Sequence, residues 1–180
     1  MSSFQIRPAA LRDAKAIAEL HAYATQATYH GLLPADQLMA FTSEAAVEKG
    51  LTYWREAIEY LDPQVHVAVQ GAVITGFVAF DRSRDPKTPA TTGEIWALYV
   101  DESHWDQGVG LALWDAAREG LSDEGCNKVT AWLSLHNDRA LRFFDLAGFK
   151  REMGSAQTVT KGSATGGLKL EEIRLKRALD

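Results

Sequence analysis

Apolar and polar positions alternate along the chain with two periods, one typical of helices and one typical of strands. Where apolar residues return every three to four positions, we expect a helix with one buried face. The clearest case covers residues 43–61, whose apolar stripe consists of Val47, Leu51, Trp54, Ile58 and Leu61. Similar patterns predict helices from about Asp13 to Gly31 and over residues 108–123 and 138–147.

Strands are predicted where the period is two, or where a short apolar run lies between turn residues. They cover residues 4–7, 65–69, 72–80, 93–100, 128–133, 157–160 and 168–175. Gln70 and Gly71 join two of them in a hairpin, residues 82–92 form a polar loop, and the glycine-rich residues 162–167 connect the last two. These elements predict a single sheet of the α+β or α/β class. Because no linker divides the sequence, we expect one domain over residues 1–180.

The composition narrows the function mainly by exclusion. A net charge of −5 over 180 residues argues against nucleic acid as the main partner. Cys126 is the only cysteine, so we expect no intramolecular disulfide and interpret it as a small buried hydrophobe. The first residues do not resemble a signal peptide, and no apolar run approaches the roughly 20 residues that span a bilayer. We therefore expect a cytoplasmic protein without a membrane partner.

One segment has the features of an anion site. A predicted strand ends near residue 100, a short loop follows, and Gly108 and Gly110 stand at the start of the next helix. Exposed amides at a helix N-terminus and the helix dipole attract anions. Glycines at this place let a diphosphate approach the backbone closely. Because glycines also serve ordinary turns, Gly-x-Gly alone is a weak indication of a phosphate site.

A second segment makes this indication specific. Residues 136–149 resemble the Asn-x-x-Ala-x-x-Phe-Tyr-x-x-x-Gly-Phe signature of the GNAT superfamily of acetyltransferases. The segment around Gly108 resembles the acetyl-CoA loop of that superfamily, Arg/Gln-x-x-Gly-x-Gly/Ala after a strand. Residues 29–34 are similar to the Tyr-x-Gly-Leu-Leu-Pro of one branch. The motifs occur in the order that the family requires, and the resemblance covers nearly the whole chain.

The resemblance implies a fold, a co-substrate and a set of contacts. The expected fold is a mixed, largely antiparallel sheet of about seven strands flanked by about four helices, and the expected co-substrate is acetyl-CoA. Two neighbouring strands would part to admit its pantetheine arm. The implied cofactor contacts are Leu98, Tyr99, Val100, Gln107, Gly108, Val109, Gly110, Asn137 and Phe144. The implied contacts on the acceptor side are Tyr29, His30 and Trp96.

Three residues depart from the family pattern. Trp105 stands where arginine or glutamine is usual, and Asp106 stands where glycine is common. A carboxylate beside a diphosphate is unfavourable unless it points away or meets a cation. Phe144 replaces the tyrosine that in many relatives gives a proton to the departing thiolate. Water, Tyr99 and Tyr29 stay open as alternative proton donors.

Acyl transfer to an amine also needs a base, because an amine with a pKa near roughly 10.4 is mostly protonated at neutral pH. Glu94 is the candidate, since several family members keep a glutamate base at this place. A period of two predicts that Glu94, Trp96, Leu98 and Val100 share one face of their strand. The alternative interpretation of Glu94 is a carboxylate that is simply solvated or salt-bridged.

The sequence therefore predicts an N-acetyltransferase that passes an acetyl group from acetyl-CoA to a primary amine of a small molecule, or to a peptide amine, by direct attack in a ternary complex. The alternative is a non-catalytic acyl-CoA-binding module of the same fold, which Asp106 and Phe144 favour. A dinucleotide-binding protein and a serine hydrolase are disfavoured, because neither the glycine fingerprint after the first strand nor the Gly-x-Ser-x-Gly elbow is present. No metal is expected. The sequence does not identify the acceptor, and a homodimer is a candidate assembly.

Overall fold

The computed structural model describes residues 3–161 and 168–180, and these residues form one sheet with helices on both faces. The helices are α1 (Ala14–Tyr29), α2 (Ala35–Ala40), α3 (Glu44–Tyr60), α4 (Val109–Asp123) and α5 (Asp138–Leu146). The strands are β1 (Gln5–Pro8), β2 (Gln64–Gln70), β3 (Val73–Arg82), β4 (Thr92–Val100), β5 (Lys128–Ser134), β6 (Lys150–Arg151), β7 (Gln157–Lys161) and β8 (Leu168–Ala178).

The strand order is β1-β2-β3-β4-β5-β8-β6, and β7 also pairs with β8. Only the central pair is parallel, and every other pairing is antiparallel. The parallel pairing joins Thr92–Ile95 of β4 to Lys128–Ala131 of β5 and stops there, although both strands continue. Beyond this point the backbone groups of β4 and β5 that face each other no longer form hydrogen bonds between the two strands. The centre of the sheet is therefore open at one end.

The two faces of the sheet carry two separate cores. Helices α4 and α5 pack on one face around Leu113, Trp114 and Phe149, all of which are buried. Helices α1 and α3 pack on the other face, where Ile17 and Trp54 lie against the side chains of β2 and β3. The hydroxyl of Ser43 accepts a hydrogen bond from the amide of Ala46 and so caps the start of α3.

The predicted fold class is confirmed, and the differences concern short elements. Helix α2, of six residues, and strand β6, of two residues, were not expected. Neither is long enough to show a hydrophobic period, so the pattern could not reveal them. The predicted burial of Cys126 is also confirmed. The predicted glycine-rich connection over residues 162–167 lies outside the described residues. Within the described ranges, no helix is both long and apolar enough to cross a membrane.

One prediction about β4 is wrong. Ala97 pairs with Ala79 of β3, but Ile95 pairs with Phe80, so Trp96 is an extra residue in the strand. This β-bulge interrupts the alternation of side chains. As a result Leu98 and Val100 pack on the α4 and α5 side, whereas Trp96, Ala97 and Tyr99 face α1 and α3. Glu94 therefore shares a face with Trp96 and Tyr99, and not with Leu98 and Val100.

A matched pair of glycines tests the packing of α4 on the sheet. A Cβ atom on Gly120 would lie 2.7 Å from Cε2 of Phe80, whereas one on Gly50 of α3 would lie 3.5 Å from Cβ of Ala18. We expect Gly120→Ala to lower the free energy of unfolding by about 1–3 kcal/mol through overpacking. We expect Gly50→Ala to raise it by up to about 1 kcal/mol, because alanine favours a helix over glycine. Urea unfolding followed by circular dichroism measures both changes, and equal changes would contradict the packing.

Candidate active site

The loop between β4 and α4 is held by its own side chains. The carboxylate of Asp101 accepts hydrogen bonds from the hydroxyl of Ser103 and, at 3.0 Å, from Nδ1 of His104. These contacts, led by the one from Ser103, hold the pKa of Asp101 below its usual value. The amide of Asp101 donates to the carbonyl of Thr75 in β3. The loop is therefore anchored to the sheet before the helix begins.

The start of α4 is an open, donor-rich surface. Gly108 caps the helix with φ of +84°, in the left-handed region that favours glycine, and no atom lies within 4 Å of the position a Cβ would take. The first amides of an α-helix have no hydrogen-bond partner inside the helix. In α4 these amides follow Gly108, which is itself exposed. Gln107 is exposed beside Gly108, while the side chain of Val109 is buried below them. The predicted pyrophosphate segment thus presents the backbone of Gly108 to the surface, beside the exposed Gln107.

The second predicted motif lies against the first. A Cβ atom on Gly110 would come within 3.0 Å of Cε2 of Phe143, so α4 and α5 touch at the start of α4. Asn137 caps α5, because its side-chain oxygen accepts from the amide of Ala140 at 3.2 Å. Its amide nitrogen is thus the part left for a ligand. The structure therefore brings Gly108, Gly110 and Asn137 to one side of the molecule.

Phe144 is in a different environment from Phe143. Its ring is 4% exposed and packs edge-on against Phe143 and Phe149 in the core beneath α4 and α5. It carries no group that could donate a proton. Phe143 is only partly buried, and of the two aromatic residues it is the one beside Gly110. Any contact of the cofactor with this aromatic pair therefore involves Phe143 more directly than Phe144.

The predicted base is buried and paired. Glu94 is 2% exposed. Its Oε2 accepts from the guanidinium of Arg84 at 2.6 Å, and its Oε1 accepts from the amide of Arg84 at 2.9 Å. The same guanidinium lies over the ring of Trp96, 4.1 Å from its centroid. Glu94 and Trp96 are thus joined through Arg84, which the sequence did not single out.

The polar loop between β3 and β4 covers this part of the sheet. Asp85 accepts hydrogen bonds from the indole of Trp132 on β5, at 2.9 and 3.1 Å, and from the guanidinium of Arg174 on β8, at 3.2 Å. The indole of Trp96 donates to the carbonyl of Arg82 at 3.3 Å. The loop is therefore fixed to β4, β5 and β8 at the place where the parallel pairing ends.

A pair of tyrosines lies on the same face of the sheet, towards α1. Burial, together with the neighbouring Tyr29 and Glu172, raises the pKa of the Tyr99 phenol to about 12. Burial, followed by the charge of Glu172, also raises the pKa of Tyr29. The ring of His21 lies 5.2 Å from that of Tyr99, and burial lowers its pKa. At neutral pH both phenols and this imidazole are therefore uncharged.

The remaining acceptor-side residues are spread out. Tyr29 packs against Phe41, with ring centroids 5.3 Å apart, and belongs to a small core with Leu38 and Leu170. His30 is exposed just after α1. Among residues 3–161 and 168–180, no group of three or more histidine, cysteine, aspartate and glutamate side chains is placed to hold a metal ion.

Comparison with known proteins agrees with this geometry. Residues 33–149 match the acetyltransferase (GNAT) family. The chain belongs to the GNAT family. This membership supports acetyl transfer as the general activity of this GNAT protein. The match includes the β4–α4 loop, Asn137 and Glu94, and it ends at Phe149.

Individual relatives resemble the GNAT chain in sequence or in fold. It is 27% identical over 132 residues to the uncharacterized N-acetyltransferase YuaI of Bacillus subtilis (strain 168), which covers 73% of this chain and 72% of that protein. Among solved structures it resembles yncA of Salmonella typhimurium with acetyl-CoA, with a TM-score of 0.71 at 22% identity over 99% of this chain and 95% of that one. It also resembles the paia N-acetyltransferase of Thermoplasma acidophilum with coenzyme A, with a TM-score of 0.72 at 20% identity over 98% and 99% of the two chains. At these identities the structures show a shared fold.

Sequence reasoning missed three contacts that shape the site of this GNAT protein. They are the pairing of Arg84 with Glu94, the anchoring of Asp85 by Trp132, and the contact of Arg139 with the β4–α4 loop. Each joins residues that are distant in the chain. The only signal in the sequence is that Arg84 and Asp85 stand in a polar loop and that Arg139 stands inside the second motif.

Proposed function

We propose that this chain transfers an acetyl group from acetyl-CoA to a primary amine of a small molecule, or to a peptide amine, by direct attack within a ternary complex. One observation carries the proposal. Gly108, which has a left-handed backbone and no atom near its Cβ position, caps the start of α4. This helix is the next one after β4, the strand that parts from β5. A diphosphate at the helix and an extended arm between the strands fit this combination. Acetyl-CoA supplies the acetyl group as an activated thioester.

The cofactor side of the proposal uses backbone groups. The amides of residues 107–110 would hold the diphosphate, and the amide nitrogen of Asn137 would contact the pantetheine region. Past Ile95, β4 offers amides and carbonyls that no longer pair with β5, so those near Leu98 could steady an oxyanion. One of these groups is already used, because the carbonyl of Val100 accepts from the indole of Trp105 at 2.9 Å. Tyr99 would flank the same stretch from the opposite face of the strand.

The acceptor side would be the face that carries Glu94 and Trp96. Glu94 is the proposed base, and a cationic acceptor suits a carboxylate beside an aromatic ring. In the described structure Arg84 holds both oxygens of this carboxylate. Direct approach of an acceptor amine to Oε2 therefore requires the guanidinium to move away. Arg84 is half exposed and stands on a loop, which makes such a movement sterically possible. Tyr29 and His30 would border the acceptor at greater distance.

A proton must also reach the departing thiolate, and Phe144 cannot provide it. Tyr99 is the candidate that the structure favours over Tyr29. Its phenol lies on β4 itself, and a pKa of about 12 keeps it protonated over the whole physiological range. Tyr29 is enclosed in the small core with Leu38 and Leu170.

The alternative function is an acyl-CoA-binding module without turnover. Two observations favour it: the ring of Phe144 is buried and has no hydroxyl, and the carboxylate of Glu94 is engaged by Arg84. Both concern chemistry and not cofactor binding. The alternative and the enzyme therefore share the prediction that the protein binds acetyl-CoA.

Calorimetric titration with acetyl-CoA tests both functions, with CoA and ATP as further ligands. We expect micromolar binding of acetyl-CoA and CoA, and much weaker binding of ATP, which has phosphates but no pantetheine arm. A screen of amines with a thiol-release assay then separates the two functions. Thiol release that depends on an amine supports the enzyme, and binding without release with any amine class supports the module. Absence of acetyl-CoA binding contradicts both.

A further inference from the structure

The segment that runs from the β4–α4 loop into α4 carries acidic residues but no lysine or arginine. From Asp101 to Ala117 the sequence has three aspartates and one glutamate and contains neither lysine nor arginine. A diphosphate bound by the amides of this segment would face the carboxylate of Asp106, which is 89% exposed and stands on a left-handed residue with φ of +60°. Without a nearby cation this arrangement is electrostatically unfavourable.

A cation reaches the loop from α5. Arg139 stands in the first turn of α5, two residues after Asn137. Its guanidinium donates to Oδ1 of Asp106 at 3.2 Å. Its central carbon also lies 3.7 Å from the centroid of the Trp105 ring. Two of the three residues that depart from the family pattern, Trp105 and Asp106, therefore contact Arg139.

Trp105 is itself fixed, which makes the position of Arg139 specific. The indole nitrogen of Trp105 donates to the carbonyl of Val100 at the end of β4. The ring thus forms a rigid platform between the strand and the loop. A guanidinium that stacks on an aromatic face loses little freedom when it forms a further hydrogen bond, since its planar fork is already oriented. Trp105 and Asp106 act on Arg139 as positioning residues.

Arg139 has N–H groups that are available to bind a ligand. Its side chain is 42% exposed, and a guanidinium has five N–H groups. In the part of the chain that the structure describes, one hydrogen bond uses these groups, the one to Asp106. The guanidinium contacts the loop that leads into α4, and Arg139 itself stands two residues after Asn137. It can bridge the carboxylate of Asp106 and a phosphate oxygen at the same time.

We infer that Arg139 is a diphosphate-binding residue, which supplies from α5 the positive charge that the β4–α4 loop lacks. The inference rests on the proposed binding of acetyl-CoA. It adds a side chain to a site otherwise formed by backbone amides. It also gives a common reason for Trp105 and Asp106, since one stacks on the guanidinium and the other orients it by a hydrogen bond. The competing explanation is that Arg139 only neutralises Asp106.

A double-mutant cycle separates the two explanations. The affinity for CoA is measured by calorimetry for the wild type, Arg139→Gln, Asp106→Asn and the double variant. We expect Arg139→Gln to weaken CoA binding about 10-fold or more, as loss of a charge-assisted hydrogen bond does. The double variant should stay similarly weak. If the double variant regains the wild-type affinity, Arg139 only neutralises Asp106 and the inference is wrong. It is also wrong if Arg139→Gln alone binds CoA as tightly as the wild type.

Arg118 provides the matched control. It pairs with Asp115 on α4 at 3.5 Å and is 43% exposed, so Arg118→Gln causes the same change of net charge at a similar ion pair away from the loop. This variant should keep the wild-type affinity for CoA. Two further readouts exclude a merely structural effect. The dependence of the dissociation constant on salt concentration should become shallower in Arg139→Gln, and Arg139→Lys should recover part of the affinity. Loss of CoA binding by the wild type itself would instead overturn the proposed function and this inference together.

Discussion

The variant Gly108→Asp should lose affinity for acetyl-CoA by about 100-fold or more while the fold is kept. The Cβ position of Gly108 is open to solvent, so the new side chain meets no protein atom within 4 Å. It would place a carboxylate where the diphosphate is proposed to lie. Two unit charges about 4 Å apart near a protein surface repel each other by about 4 kcal/mol. Calorimetric titration with acetyl-CoA measures the loss.

The control for this variant is Gly125→Asp. Gly125 also has a left-handed backbone, with φ of +86°, and also has no atom within 4 Å of its Cβ position. It follows the other end of α4. The cost of an aspartate in a left-handed conformation and the change of net charge are therefore the same in both variants. If Gly125→Asp weakens binding as much as Gly108→Asp does, or if neither does, the diphosphate does not lie at Gly108.

The second large effect is expected for Glu94→Gln, which should reduce turnover by about 100-fold or more and leave the affinity for acetyl-CoA unchanged. A positioned general base contributes on the order of 10²–10⁴ in rate. The deficit should shrink as the pH rises towards about 10, because an alkylamine then loses its proton without help. Steady-state kinetics over a range of pH, with an amine found in the thiol-release screen, measures this dependence. A deficit that is equal at every pH would contradict the role as a base.

The pairing of Glu94 with Arg84 calls for a second variant. If Glu94 serves only to hold the β3–β4 loop through Arg84, then Arg84→Gln should reproduce the loss of turnover. If Glu94 is the base, Arg84→Gln removes the guanidinium from Oε2, while the backbone amide of residue 84 still donates to Oε1. The pH-dependent deficit of Glu94→Gln should then not appear in this variant. Asp13→Asn is the matched control for the chemical change. Asp13 is a buried carboxylate whose pKa is lowered, mainly by its hydrogen bonds from Arg7, and it lies near the start of α1, away from the proposed site. This control should lose stability but not turnover.

The elements that were predicted well from the sequence are those long enough to span several periods of the hydrophobic pattern. The stripe of α3 is a local property, and Val47, Leu51, Trp54 and Ile58 pack in the core as predicted. Leu61 was predicted to belong to the stripe, but it ends the helix in a left-handed conformation and is exposed. The order of strands along the chain was also predictable, since turn residues separate them. Short elements such as α2 and β6 contain too few residues to show a period, and tertiary packing decides whether they form.

The face of each residue on β4 could not be predicted. A strict alternation is the default for a strand, and one extra residue reverses the faces of all the residues after it. No residue type in this stretch marks Trp96 as the bulge. The position of the bulge is visible only in the register between β3 and β4. This is why Glu94 and Tyr99 are together on the proposed acceptor face while Leu98 and Val100 are on the other.

The sequence by itself determined the family, because two motifs with fixed spacing and order, around Gly108 and Asn137, are local patterns of residue types. It also predicted that the carboxylate of Asp106 is unfavourable beside a diphosphate unless it points away or meets a cation. Only the tertiary structure decided that Arg139 is that cation and that Arg84 holds Glu94. Both pairs join side chains more than nine residues apart in the chain. Which charged groups meet across such a separation depends on how helices and loops pack on the sheet, and no local pattern encodes that.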